Sequence, residues 1–132
     1  MDFGENILRQ RLEHDEVYLF LLDNVPVGTL TIQWSDPDVW GDCSDDGLAG
    51  YIHGMGISRT VGGKRVDESM LEWAVRRIVN SGKRFARLDA QASNASLCRY
   101  YKYRGFCALG TRLLGGDFLT RLFEKEIIPV NS

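Results

Sequence analysis

Apolar Ile52, Met55 and Ile57 lead into Gly62-Gly63-Lys64-Arg65-Val66-Asp67, and Val66, Met70, Leu71, Ala74 and Ile78 follow at helical spacing. That order predicts a strand, a glycine turn and a helix N-terminus set beside the strand end. Such a turn has the chemistry of an anion site. The first N–H groups of a helix lack internal partners and carry the positive end of its dipole, and glycines let a phosphate approach the backbone. Gly62, Gly63, Lys64, Arg65 and Val66 are the residues placed to do this. A glycine pair also serves as a plain turn wherever φ must be positive, so the reading depends on what stands near it.

A second constellation follows: Arg87-Leu88-Asp89, then Asn94-x-x-Leu97-x-x-x-Tyr101-x-x-x-Gly105-Phe106. Asn94 is a natural N-cap for a short helix that Gly105 closes. Tyr101 is a phenol whose ordinary pKa of about 10 keeps it protonated at neutral pH, able to donate a proton. It is equally a ring suited to a small core.

These groups need a frame to hold them. Residues 5–14 carry Ile7, Leu8 and Leu12 in a pattern that predicts a short amphipathic helix. The apolar run 17–22, the Asp23-Asn24 turn and residues 26–34 predict a β-hairpin. Residues 35–47 read as an acidic loop with Asp36, Asp38, Asp42, Asp45 and Asp46 around Val39-Trp40. A strand over 48–57, a helix over 66–81 ended by Gly82, and a strand over 84–90 complete a strand-helix-strand crossover. Two further strands, 106–114 and 118–128, flank a Gly115-Gly116-Asp117 turn. Antiparallel runs with one crossover specify an α+β fold with a mixed, mostly antiparallel central sheet flanked by helices.

The whole chain of 132 residues is expected to be one domain. Hydrophobic residues at 44% and charged residues at 26% are those of a globular protein. A net charge of −2 argues against a nucleic-acid partner. Cys43, Cys98 and Cys107 show neither pairing nor metal-ligand spacing, so no disulfide framework and no metal site is expected, and the thiols fit a cytoplasmic protein. Neither a signal peptide nor a membrane span is legible.

Read together, the two constellations resemble the GNAT superfamily of acyl-CoA-dependent N-acetyltransferases over roughly residues 17–127. The Asn, Tyr and Gly-Phe spacing after the Leu-Asp strand is the more specific half of the match. The resemblance implies acetyl-CoA as co-substrate and a primary amine of a small molecule or protein as acceptor. It implies two splayed strands, with backbone amides near Met55, Gly56 and Ile57 holding the pantetheine arm and the turn amides holding the pyrophosphate. Tyr101 matches the acid that protonates the departing thiolate. Some members carry a basic glutamate at the position of Tyr51, and His53, two residues on, shares its strand face. His53 is therefore a candidate base, with Glu5, His14 and the loop aspartates as alternatives. Asn94 either bonds the cofactor or caps its helix, and the acidic loop beside Trp40 favours a cationic acceptor.

Arg65 and Asp67 stand where the family turn has glycine or alanine, and an acid in the first helical turn occupies the field a phosphate would use. That leaves a second reading, a protein of this fold that binds without catalysing. Against the family pattern, the short segment before residue 5 leads to the expectation that part of the acceptor wall is either missing or supplied by a second subunit, as a homodimer would allow.

Overall fold

The computed structural model describes residues 7–12, 15–41, 46–58, 65–114 and 118–127. Its elements are β1 (Ile7–Arg11), β2 (Asp15–Leu22), β3 (Val25–Gln33), α1 (Pro37–Trp40), β4 (Ala49–Ile57), α2 (Val66–Asn80), β5 (Phe85–Gln91), α3 (Ala95–Tyr103), β6 (Cys107–Leu114) and β7 (Phe118–Glu126). The strands form one sheet in the order β1-β2-β3-β4-β5-β7-β6. Only β4 and β5 run parallel, joined by the α2 crossover; every other neighbouring pair is antiparallel. The fold class is the one expected from the sequence.

The β2–β3 hairpin turns at Asp23 and Asn24, both with positive φ, as a two-residue type I′ turn requires. Helix α2 buries Val66, Met70, Leu71, Ala74 and Ile78 in a core with Phe20, Leu30, Ile32, Leu88 and Phe123. Apart from the smaller Ala74, each such side chain contributes about 1.5–3 kcal/mol when fully buried. The helix lies almost on the sheet backbone at two places. A Cβ at Gly28 would sit 2.3 Å from Met70 Sδ, and one at Gly50 would sit 2.7 Å from Ile78 Cγ1.

Two expectations are corrected. The helix expected over residues 5–14 is a strand where the structure describes it: β1 pairs with β2, Ile7 opposite Phe20 and Arg11 opposite Glu16. Leu8 and Leu12 remain exposed and Ile7 is only half-buried, so there is no apolar stripe for a helix to bury. The free edge of β2 offers the segment backbone hydrogen bonds instead. Glu5 and His14 lie outside the described residues. Inside the expected loop, Pro37–Trp40 forms a single helical turn with Asp36 as N-cap and proline in its first turn. Asp-Pro is a recognised start signal, but four residues are too few to show a period.

Buried Arg87 fastens this region to the sheet. Its Nη1 donates to the Tyr51 hydroxyl at 2.7 Å, Nε to Glu124 Oε2 at 2.8 Å and Nη2 to Asp46 Oδ2 at 3.2 Å. The guanidinium also stacks 5.1 Å over the Trp40 ring, which packs edge-on against Tyr51. From the other side Arg112 Nη1 donates to the Val39 carbonyl at 2.7 Å.

Arg65, the residue before α2, has φ 57° and ψ 31°. This left-handed conformation costs a non-glycine residue about 1–2 kcal/mol and costs glycine nothing. Arg65→Gly should therefore stabilise the protein by about 0.5–1 kcal/mol net of glycine's chain entropy, raising Tm by roughly 2–4 °C. A calorimetric scan showing no rise would refute strain at this position. Arg87→Ala removes the shared cation of Tyr51, Glu124 and Asp46 and should cost about 2–4 kcal/mol, seen as a lower urea midpoint at unchanged slope. A loss below about 0.5 kcal/mol would show the guanidinium to be dispensable.

Candidate active site

The site begins where a ladder stops. β4 and β5 pair only at Ala49–Phe85, Gly50–Ala86 and Tyr51–Arg87, although β4 runs on to Ile57 and β5 to Gln91. Past that point β4 stays with β3, through an irregularity near Gly54, while β5 stays with β7. The two parallel strands part, and a slot opens through the sheet with His53 and Met55 on one side and Asp89 on the other. Tyr101 reaches the slot from α3.

A cavity of ≈ 190 Å³ occupies the slot, lined by Ile52, His53, Gly54, Met55, Asp89 and Tyr101. A groove of ≈ 470 Å³ adjoins it, lined by Met55 and Ile57 of β4, Asp67 of α2, and Asn94, Ser96, Leu97, Tyr100 and Tyr101 around α3. Met55 and Tyr101 line both, so groove and slot meet at these two side chains. Arg104 braces the helices that form the groove walls: at the C-cap of α3, it donates to Glu68 Oε1 at 2.9 Å and Glu72 Oε1 at 2.7 Å on α2.

Tyr101 is placed by its ring, which is buried against Phe123 and Phe106 with centroids 5.6 and 6.1 Å away. Among the described residues its hydroxyl has no hydrogen-bond partner. Burial, then the nearby Asp89 carboxylate, pushes its pKa up to about 12, so it is a protonated donor at neutral pH. Asn94 caps α3, its Oδ1 accepting from the Leu97 amide at 3.1 Å, while also lining the groove. Tyr51, at the position where the family's base sometimes lies, is buried and committed to Arg87.

His53 lies between two carboxylates. Its Nε2 is 2.7 Å from Asp36 Oδ2 and its Nδ1 3.6 Å from Asp89 Oδ1. The closer contact is an ion-pair approach without hydrogen-bond alignment, and both of its atoms are sealed from solvent. Burial alone would lower the His53 pKa; Asp36 first, then Asp89 and Asp15, outweigh it and hold the imidazole above its ordinary value of 6.5. Burial raises the Asp89 pKa against the pull of His53. Asp36, His53 and Asp89 offer donor atoms within 4.8 Å of one another. Each ring nitrogen faces a different carboxylate, however, which clamps the ring rather than directing three ligands at one ion.

The structure thus brings together Tyr101, His53, Met55 and, around the groove, Ile57 and Asn94; Gly56 lies between Met55 and Ile57 on β4. Arg65 is the N-cap of α2 and Val66 its first residue, buried in the core. Gly62, Gly63 and Lys64 fall outside the described residues. Sequence reasoning passed over Asp89, Tyr100 and the singular position of Asp36. The strand alternation at Leu88-Asp89, one residue buried in the core and the next facing the slot, was the signal for Asp89.

Residues 2–106 match the model of the Acetyltransferase (GNAT) family. YesJ of Bacillus subtilis (strain 168), described as an uncharacterized N-acetyltransferase, is 28% identical over 121 residues, covering 88% of this chain and 64% of YesJ. A GNAT family acetyltransferase from Listeria monocytogenes 4b F2365 superposes with a TM-score of 0.72 at 28% identity, over 84% of this chain and 64% of that one. A GNAT family acetyltransferase from Elizabethkingia anophelis, crystallised with acetyl-CoA bound, shares the fold at a TM-score of 0.70 and 13% identity, over 86% and 77% of the two chains. The chain therefore spans somewhat less than two thirds of the length of YesJ and the Listeria protein. Among the described residues no helix is long and apolar enough to cross a membrane. With a family model matched over most of its length, the chain belongs to the GNAT acetyltransferase family.

Proposed function

We propose that the protein is an acetyl-CoA-dependent N-acetyltransferase that modifies a primary amine of a small molecule or protein. The observation that carries this reading is the continuity of groove and slot through Met55 and Tyr101. The groove takes the pantetheine arm in this reading, with Met55 and Ile57 of β4, and the backbone of Gly56 between them, along one side and Asn94 at the α3 end. The N-terminus of α2 at Val66 supplies the positive field for the pyrophosphate, with the preceding Gly62-Gly63-Lys64-Arg65 segment proposed as its cradle.

Acetyl-CoA supplies a thioester-activated acetyl group to an amine that attacks its carbonyl. The chain's own groups manage charge and protons. Backbone N–H groups freed where β4 leaves β5 face the position of the developing oxyanion. Tyr101 holds the proton that the departing sulfur requires. His53 removes a proton from the acceptor, and the carboxylates at its sides favour an acceptor that arrives as an ammonium ion. A homodimer partner and a cytoplasmic setting belong to the same proposal.

Calorimetric titration with acetyl-CoA should show binding, and coupled thiol release should show transfer to a panel of primary amines. Binding without transfer to any amine would favour the non-catalytic reading; no binding at millimolar acetyl-CoA would sink the enzyme reading. Tyr101→Phe should lower kcat by roughly 10²-fold or more while leaving the acetyl-CoA affinity within a few-fold. Unchanged kcat would take Tyr101 out of the acid role. Asp67→Asn removes a carboxylate from the groove wall in the first turn of α2 and should tighten acetyl-CoA binding by roughly threefold to tenfold. Neutral imidazole is the working base, so kcat/KM should climb with pH through a midpoint above 6.5, the direction in which His53 is shifted. A limb at or below 6.5, or one that survives His53→Gln, would assign the base elsewhere.

A further inference from the structure

An aspartate at a helix N-cap normally spends its carboxylate on the first amides of its own helix. Asp36 does not. It occupies the N-cap of α1, yet its side chain makes no capping bond, and only its backbone carbonyl serves the turn, accepting from the Trp40 amide at 2.9 Å. The carboxylate instead turns inward. Its side chain is 7% exposed, its Oδ2 approaches His53 Nε2 at 2.7 Å, and it does not border the slot cavity. The opposite ring nitrogen, Nδ1, faces Asp89, which does border the cavity.

A carboxylate oxygen 2.7 Å from a ring nitrogen repels a lone pair there and attracts an N–H, even out of ideal alignment, so its proximity favours hydrogen on the nitrogen facing Asp36. We propose that Asp36 is the positioning residue of the site: it fixes the proton of neutral His53 on Nε2 and so presents the Nδ1 lone pair to the slot. The inference rests on the transferase reading for its purpose but not for its geometry. In the reaction Nδ1 takes a proton from the acceptor's nitrogen, the ring becomes an imidazolium held between Asp36 and Asp89, and that proton leaves to solvent through the slot. Besides these two carboxylates, Asp15 on β2 and Tyr101 on α3 are, among the described residues, the titratable groups near the ring.

The position of Asp36 is itself arranged. α1 is pinned by Arg112 on the Val39 carbonyl and by Arg87 against Trp40, so the residue just before the turn has little freedom to withdraw.

Long-range ¹H–¹⁵N spectra of the ligand-free protein, in a His14→Gln background that leaves His53 as the sole imidazole, test this directly. The neutral ring should be the Nε2–H tautomer, and its titration midpoint should lie above 6.5. Asp36→Asn should bring that midpoint down and carry the acid limb of kcat/KM with it. An Nδ1–H tautomer in the protein with Asp36 intact, or a midpoint unmoved by Asp36→Asn, would overturn the assignment. Absence of acetyl transfer in every sample would fail the transferase reading instead, since the tautomer is read without turnover.

Discussion

Two parallel strands that begin side by side and then separate set the conditions for everything else in this molecule. The separation is stable because each strand has another partner to satisfy its backbone: β3 accompanies β4, and β7 accompanies β5 throughout its length. The edges that face each other across the slot are the ones left to bind something else. An unpaired strand edge is ordinarily a hazard of aggregation. Here it lies within the sheet, bordering a small slot that Tyr101 of α3 also lines. The placement of Tyr101, His53 and Asp89 around one small volume follows from that single interruption, since each belongs to an element whose position the sheet dictates.

The charges on the α1 side obey a division of labour. Arg87 is surrounded by aromatic rings and answered by Glu124, Asp46 and the Tyr51 hydroxyl, a fully served buried cation whose work is architectural. His53 is answered by more carboxylate than one imidazolium can neutralise, so its immediate surroundings keep an excess of negative charge. Buried groups with unbalanced surroundings are where a protein keeps reactivity, because the imbalance must be met by a ligand or by a change of protonation.

Much of this was legible in the residues. The hairpin at Asp23-Asn24, the helix from Val66 and the Asn94-capped helix each carry a local signal of turn chemistry, period or cap, and each formed as those signals require. The first strand was misread because three apolar residues at mixed spacing are ambiguous until a partner edge is known. The helical turn after Asp36 was missed because it is shorter than any period. Arg65 was noticed as a departure from glycine, but only its positive φ explains why glycine belongs there. The clamp on His53 is of another kind: Asp36, His53 and Asp89 come from three separate elements, and no spacing along the chain records that they converge.

Gly28 and Gly50 carry a mechanical consequence. With Met70 and Ile78 seated directly on backbone rather than on an intervening layer of side chains, α2 is keyed to β3 and β4 at two points eight residues apart along its axis. A helix keyed twice can neither slide nor roll, so its leading amides stand in fixed register with the end of β4. An anion arriving there would meet dipoles already oriented and would lose little of its binding free energy to ordering the protein. Stiffness in the least polar part of the structure is in this sense a component of affinity at its most polar end.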